Sequence, residues 1–150
     1  MKNLFEPTSV KEVKQRIARL RPDSERQWGK MHPGQALAHC SRAMETALGD
    51  SSLPRMLIGR IIGKPVKKMA LGNDEPMKRN SPTSPAFIVR DQPDVAVEGV
   101  RLCALIDRFA EGGPQVCTRH PHTFFGPMTP DEWAILMYKH VDHHLRQFGA

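Results

Sequence analysis

The stretch TPDEWAILMYKHVDHHLRQF, residues 129–148, decides the fold because it carries a complete helix-start signal and a core-facing stripe. Thr129 is a typical N-cap residue, Pro130 suits the first helical position, and Glu132 completes a capping box. Apolar side chains then recur at the three- and four-residue spacing of one helix face. The stretch therefore predicts an amphipathic helix from Pro130 to about Phe148.

Two histidines lie in the middle of that face. An α-helix turns about 100° per residue, so His140 and His144 point about 40° apart, on the same side as Trp133. His143 falls at the edge of the face, whereas Asp142 points to the far side. Buried imidazoles need partners, because an unpaired buried polar group is costly.

A metal ion is one such partner, since two histidines at i and i+4 can chelate a single ion. His39 is the one histidine near the middle of another predicted helix, and it stands beside small residues such as Ala36. We therefore predict a metal site formed by His39, His140 and His144. A purely structural role, with hydrogen-bonded core histidines, stays open as the alternative.

Neutral imidazoles suit several divalent ions, of which zinc or nickel is expected first, with iron or manganese as alternatives. His120 and His122 form an H-x-H pair in a predicted loop, and solvation is the expectation for both. Three protein ligands would leave a coordination position for water or substrate.

Patterns elsewhere predict further helices, separated by irregular connections at 72–90 and 114–128. The helix near the N-terminus is expected to begin at a capping box on Ser9, and Pro65 is expected to kink or split the third. No strand or repeat is evident, so the fold class is all-α, an up-down four-helix bundle in one domain over residues 1–150. The predicted helices cover residues 9–20, 33–48, 53–70 and 92–111.

The amino-acid composition limits the classes to which the protein can belong. The hydrophobic content of 39% over 150 residues fits a soluble domain. No apolar run approaches the ~20 residues of a membrane span, and Met1–Glu6 lacks the apolar core of a signal peptide. Three widely spaced cysteines argue against a disulfide framework or a zinc ribbon. A cytoplasmic location and no membrane partner are therefore expected.

Residues 55–79 form a basic segment, with seven basic residues against two acidic ones. Such a patch can attract nucleic acid, anionic lipid or an anionic small molecule, or it can be a solvated helix face and loop. Aromatic residues make up only 6% of the chain and none interleaves with the basic run, so stacking on bases is poorly supported. No nucleic-acid partner is expected.

Two segments carry a resemblance to a known superfamily. The pattern H-x-x-H-H-x-x-Q in residues 140–147 resembles the last-helix signature of the DinB/YfiT-like superfamily. Residues 31–35, MHPGQ, leading to His39, resemble its second-helix histidine motif. Residues 124–133, FFGPMTPDEW, resemble one uncharacterised branch of the superfamily.

The resemblance implies a DinB-like four-helix bundle with a metal centre of three histidines, which match His39, His140 and His144. Its relatives include transferases and isomerases that use mycothiol, bacillithiol or glutathione. We therefore expect a divalent-metal-binding protein that acts as a metal-dependent transferase or hydrolase with a low-molecular-weight thiol. His143 and Gln147 are expected to contact the cofactor or orient ligands, and the resemblance is compatible with a homodimer. A non-catalytic, stress-related metal- or small-molecule-binding protein is the alternative.

Overall fold

The computed structural model describes residues 1–81 and 83–150, which contain five α-helices, two short 3₁₀ turns and no β-strand beyond one isolated bridge. The all-α prediction is confirmed. The 3₁₀ turns cover Pro85–Phe87 and Gly113–Val116. The helices are α1 (Pro7–Ile17), α2 (Pro33–Leu48), α3 (Leu57–Leu71), α4 (Val95–Gly112) and α5 (Pro130–Gln147).

Four helices enclose the core. α2 packs against α4 and α5, and α1 packs against the same two helices from the other side, which closes a four-membered ring. Burial of apolar area inside this ring is the main force that holds it together. Its fully buried side chains include Val13, Met44, Leu102, Ile106, Trp133 and Leu145.

The ends that meet show the helix directions. Gly34 at the start of α2 lies against the Pro93 carbonyl just before α4, so these two helices run parallel. The backbone N–H of Leu4, just before α1, donates to the Ala134 carbonyl near the start of α5. α1 and α5 are therefore also parallel. Phe5, just before α1, stacks on Phe109 near the end of α4. The α1–α5 pair therefore runs antiparallel to the α2–α4 pair.

α3 lies outside this ring and is part of the connection that returns the chain to the start of α4. A Cβ on Gly63 would lie 2.2 Å from the Phe124 carbonyl oxygen, and one on Gly59 would lie 2.4 Å from it. α3 therefore approaches the loop before α5 closely because these positions lack side chains. Pro65 does not divide the helix, which is continuous from Leu57 to Leu71.

α1 begins earlier than the sequence suggests. Its N-cap is Glu6 and Pro7 is its first residue, so the expected capping box on Ser9 is wrong. Ser9 instead donates its hydroxyl hydrogen to the Glu6 carboxylate. In the part of the chain that the structure describes, no helix is both long enough and apolar enough to cross a bilayer.

Candidate metal centre

α2 and α5 bring three histidines together. His39 lies in the middle of α2, where its side chain is 3% exposed, and His140 and His144 stand one turn apart on α5. α2 is held at its start by a hydrogen bond from the His32 backbone N–H to the Gln35 side-chain oxygen, at 2.9 Å. The antiparallel packing of α2 on α5 sets all three rings at the same level of the bundle.

The three rings form a nearly equilateral triangle. The ring centroid of His39 lies 4.8 Å from those of His140 and His144, and the latter two are 5.0 Å apart. The Nε2 atoms of His39 and His140 are 2.9 Å apart. One nitrogen from each histidine lies within 4.8 Å of the other two, so the cluster can hold a metal ion.

The tautomer of His39 is fixed by a backbone carbonyl. Its Nδ1 lies 3.1 Å from the carbonyl oxygen of Phe87, in the first 3₁₀ turn. A carbonyl can only accept, so Nδ1 carries the hydrogen of the neutral ring. The lone pair of Nε2 therefore faces the cluster, which is how a ligand histidine is usually prepared.

The tautomer of His144 is fixed through Gln147. The Trp28 carbonyl can only accept, so the Gln147 Nε2 donates to it at 2.9 Å. The Gln147 Oε1 then faces His144 and accepts from its Nδ1–H at 2.9 Å. The Nε2 of His144 is thereby left unprotonated on the side of the cluster.

Burial keeps these imidazoles neutral. It lowers the pKa of His39, and it lowers the pKa of His144 to about 3, with the neighbouring His39 adding to the effect. The pKa of His140 lies well below its usual value, because of burial first and the adjacent imidazoles second. Metal ligation requires neutral imidazole, so the donor set suits a divalent cation at neutral pH.

His143 and Gln147 lie beside the triangle. The His143 ring is 5.2 Å from that of His144 and 5.5 Å from that of Trp28, measured between centroids. Gln147 is buried, and both ends of its amide are occupied by His144 and Trp28. Gln147 is therefore a positioning residue for His144, and a contact of either residue with a cofactor stays a prediction.

The indole ring of Trp28 contacts the cationic side chain of Arg79. The Arg79 guanidinium carbon lies 4.2 Å from the centroid of the Trp28 ring, in the geometry of a cation–π contact. Arg79 itself is exposed. This part of the loop after α3 thus borders the rim that His143 forms.

The expectation that the H-x-H pair is solvated is wrong for His122. Its ring stacks on Phe125 at 4.8 Å and meets Trp133 at 5.4 Å between centroids, whereas His120 is exposed. The His122 Nδ1 accepts from the backbone N–H groups of Phe124 and Phe125. Burial lowers its pKa to about 4.

Asp142 points away from the cluster, as the helical spacing predicts, but towards another helix. Its side chain is 7% exposed and binds Arg16 of α1 at 2.6 Å and Arg146 at 2.7 Å. Asp142 therefore joins two helices and is not available as a base at the centre.

The whole chain matches one protein family. The family model described as "Protein of unknown function (DUF1569)" covers residues 2–150, and the chain belongs to this family. No curated protein and no solved structure matches the chain. The evidence on function therefore comes from the geometry of the histidine cluster.

Proposed function

We propose that the protein binds one divalent metal ion through His39, His140 and His144 and acts as a metal-dependent transferase or hydrolase together with a low-molecular-weight thiol. The observation that carries the proposal is the convergence of three neutral imidazoles, two of which have their Nδ1 hydrogens engaged elsewhere. The 2.9 Å contact between the Nε2 atoms of His39 and His140 is also that of a hydrogen bond between the two rings, which is the arrangement that a purely structural role predicts.

The spacing of the donors supports an ion of this kind. Two nitrogens bound to one tetrahedral zinc ion, each at about 2.0–2.1 Å, lie about 3.3–3.4 Å apart, a few tenths of an ångström more than the spacing found here. The Nε2 atoms of His39 and His140 are 2.9 Å apart. The donor set is all imidazole, which suits zinc, nickel and iron better than calcium or magnesium.

Three protein ligands leave a coordination position for a further ligand. His39 is buried, whereas His140 and His144 keep part of their surface exposed. A bound divalent ion would lower the pKa of a coordinated thiol or water and so supply a nucleophile near neutral pH. In this proposal a small molecule reaches the centre from the side of His140 and His144, the two partly buried members of the cluster.

The surrounding residues have separate tasks in this proposal. The Phe87 carbonyl orients the His39 ring and the Gln147 amide orients the His144 ring. His143 and Trp28 contact each other beside the cluster. Arg79 offers a positive charge to a carboxylate of the incoming thiol. The likeness of the two histidine motifs to the DinB/YfiT-like superfamily supports a thiol as co-substrate.

The metal is tested by elemental analysis of protein purified without an affinity tag. The wild type is expected to carry about one equivalent of zinc, nickel or iron, and a His140→Ala, His144→Ala variant is expected to carry none. His120→Ala is the matched control, because His120 is exposed and lies outside the cluster. Failure of the wild type to retain or take up any of these ions would contradict the proposal.

The reaction is tested separately with the metal-loaded protein. Mycothiol, bacillithiol and glutathione are each offered with an electrophile, and loss of free thiol is followed with and without protein. Turnover that the double variant lacks would support the thiol reaction. Stoichiometric metal without turnover of any pair would favour the alternative, a non-catalytic metal-binding protein that uses the same three histidines.

A further inference from the structure

α3 turns large apolar side chains towards solvent. Five of them are 40–79% exposed, although residues of this type are usually buried. Contiguous exposed apolar surface of this kind marks an interaction site more often than chance. The five are Leu57 (77%), Ile58 (52%), Ile61 (79%), Ile62 (40%) and Met69 (67%).

The inward face of α3 explains why these residues cannot be buried against the bundle. That face carries Gly59 and Gly63, which lie so close to the Phe124 backbone that a Cβ would overlap with it. Rotating α3 to bury Ile61 would place a branched side chain in this narrow space. The apolar face is therefore fixed outward by the way the helix packs.

A basic strip lies along one edge of the apolar face. At about 100° per residue, Arg60, Lys64 and Lys68 follow one another within about 80° of arc, next to Leu57 and Ile61. All three basic side chains are exposed. α3 contains no acidic residue, so the basic strip has no compensating charge on its own helix.

We propose that α3 binds the surface of a membrane that contains anionic lipid, lying in the plane of the interface. An interfacial helix of this kind places apolar side chains among the acyl chains and basic side chains among the headgroups. The proposal departs from the expectation of no membrane partner, which rested on the lack of an apolar run long enough to span a bilayer and does not address a helix that lies on its surface. It does not depend on the metal centre.

The charge of the face argues against a second copy of the chain as the occupant. Two α3 helices packed face to face would bring two strips of Arg60, Lys64 and Lys68 close together, and like charges at an interface are unfavourable. The apolar side chains argue against nucleic acid, whose phosphates would meet only the strip. An anionic bilayer is complementary to both parts of the surface.

The test is co-sedimentation of the full-length protein with two kinds of vesicle, phosphatidylcholine alone and phosphatidylcholine mixed with phosphatidylglycerol. We expect binding to the mixed vesicles only, and weaker binding at high salt because screening shortens the range of the attraction. Each of Lys64→Gln and Lys68→Gln is expected to weaken partitioning about fivefold. Ile61→Glu is expected to abolish it.

The control is Val100→Glu on α4, because Val100 is also exposed, at 74%, and lies on a different helix. It is expected to bind vesicles about threefold to fivefold less well at most, through the added negative charge alone. Circular dichroism and the urea unfolding midpoint confirm that each variant is folded.

Two results would overturn the proposal. One is equal sedimentation of wild type and Ile61→Glu with the mixed vesicles. The other is absence of vesicle binding together with a wild-type dimer, seen by analytical ultracentrifugation, that Ile61→Glu converts to monomer. In that second case the outward face of α3 is covered by a second copy of the chain.

Discussion

Gln147 shows how a single amide selects the tautomer of a buried imidazole. It accepts from His144 and donates to the Trp28 carbonyl, so its orientation and the His144 tautomer are set together. Gly29 takes part in this arrangement, since a Cβ there would lie 2.6 Å from the Gln147 Nε2. The close turn at Trp28–Gly29 is therefore a condition for the hydrogen bond.

Replacement of Gln147 by leucine is expected to weaken metal affinity by about 10-fold to 100-fold, because the support of His144 is lost. The measurement is a competition titration against a chromophoric chelator. His120→Ala serves as control, since it leaves the cluster untouched. Unchanged affinity, even with a lower melting temperature, would reduce Gln147 to a role in folding alone.

The buried histidines also make stability depend on pH. The folded-state pKa values of His122 and His144 are lowered to about 4 and about 3, whereas an unfolded histidine titrates near 6.5. The unfolded state therefore takes up protons first as the pH falls. The stabilising contribution of these two neutral rings is fully present above about pH 6.5. It is lost as the pH falls towards about 4 for His122 and about 3 for His144.

For the metal-free protein we expect the urea midpoint to decrease steadily between about pH 7 and about pH 5. His122→Phe is expected to reduce this slope, because one buried neutral imidazole has been removed. His120→Phe, at an exposed position, is expected to leave it unchanged. A midpoint that does not vary over this range would show that the rings are not held neutral by the fold.

At the level of secondary structure, local signals decide most helix ends. The Thr129–Glu132 capping box at the start of α5 is present as predicted, with both reciprocal hydrogen bonds. α1 is the exception, because Pro7 at the first helical position moves the start ahead of Ser9. Capping signals three residues apart compete, and the one that includes a proline prevails here.

The end of α3 depends on a partner that is distant in sequence. The Lys139 Nζ donates to the carbonyl oxygens of Ala70 at 2.7 Å and Asn73 at 2.6 Å. These hydrogen bonds satisfy groups that a helix C-terminus otherwise leaves unpaired. Lys139 of α5 thus caps the C-terminus of α3. Burial lowers the pKa of Lys139.

Two helical glycines offer a matched test of how α3 is packed. Gly63→Ala is expected to destabilise the protein, because its Cβ would overlap with the Phe124 carbonyl. Gly99→Ala on α4 is expected to stabilise it by roughly 0.5–1 kcal/mol through helix propensity, since its Cβ would meet only Ile17 at an ordinary 3.5 Å. Urea unfolding measures both.

Whether Gly63→Ala lowers or raises the free energy of unfolding tests how α3 is packed. If Gly63→Ala raised stability as Gly99→Ala does, α3 would not be held against the Phe124 backbone. The outward orientation of its apolar face would then lose its explanation as well.

At the scale of the whole molecule, the ion pair between Arg16 and Asp142 ties α1 to α5. Both side chains are largely buried, at 13% and 7% exposed. The pair between Lys14 and Asp107 joins α1 to α4, but its two side chains are 35% and 39% exposed. Buried charges suffer more from the loss of a partner than exposed ones do.

Arg16→Met is therefore expected to cost about 2–4 kcal/mol of unfolding free energy, whereas Lys14→Met on the same helix is expected to cost at most about 1 kcal/mol. Chemical denaturation of the two variants side by side measures the difference. Equal, small losses would mean that Arg146 alone compensates the Asp142 carboxylate.

The connection between α2 and α4 also contributes contacts to the histidine cluster. Because α2 and α4 run parallel, the connection between them must return along the bundle, and it carries Phe87 past His39 on the way. The same connection brings Arg79 onto Trp28. A simple hairpin between α2 and α4 would supply neither contact.

The sequence alone determined the features that depend on neighbours within a few residues. These are the bounds of α2, the start of α5 and the placement of His140 and His144 on one side of a helix. Capping and the 3.6-residue period are local properties, so one sequence suffices to predict them. His39 could be paired with them because only one other predicted helix offered a central histidine.

Only the tertiary structure decided the features that join distant parts of the chain. The Phe87 and Trp28 carbonyls are backbone groups, which leave no mark in the residue types around them. The burial of His122 depends on Trp133, and the outward face of α3 depends on the Phe124 backbone beneath Gly63. Such contacts arise from packing between elements, and packing is a property of the whole fold rather than of any local pattern.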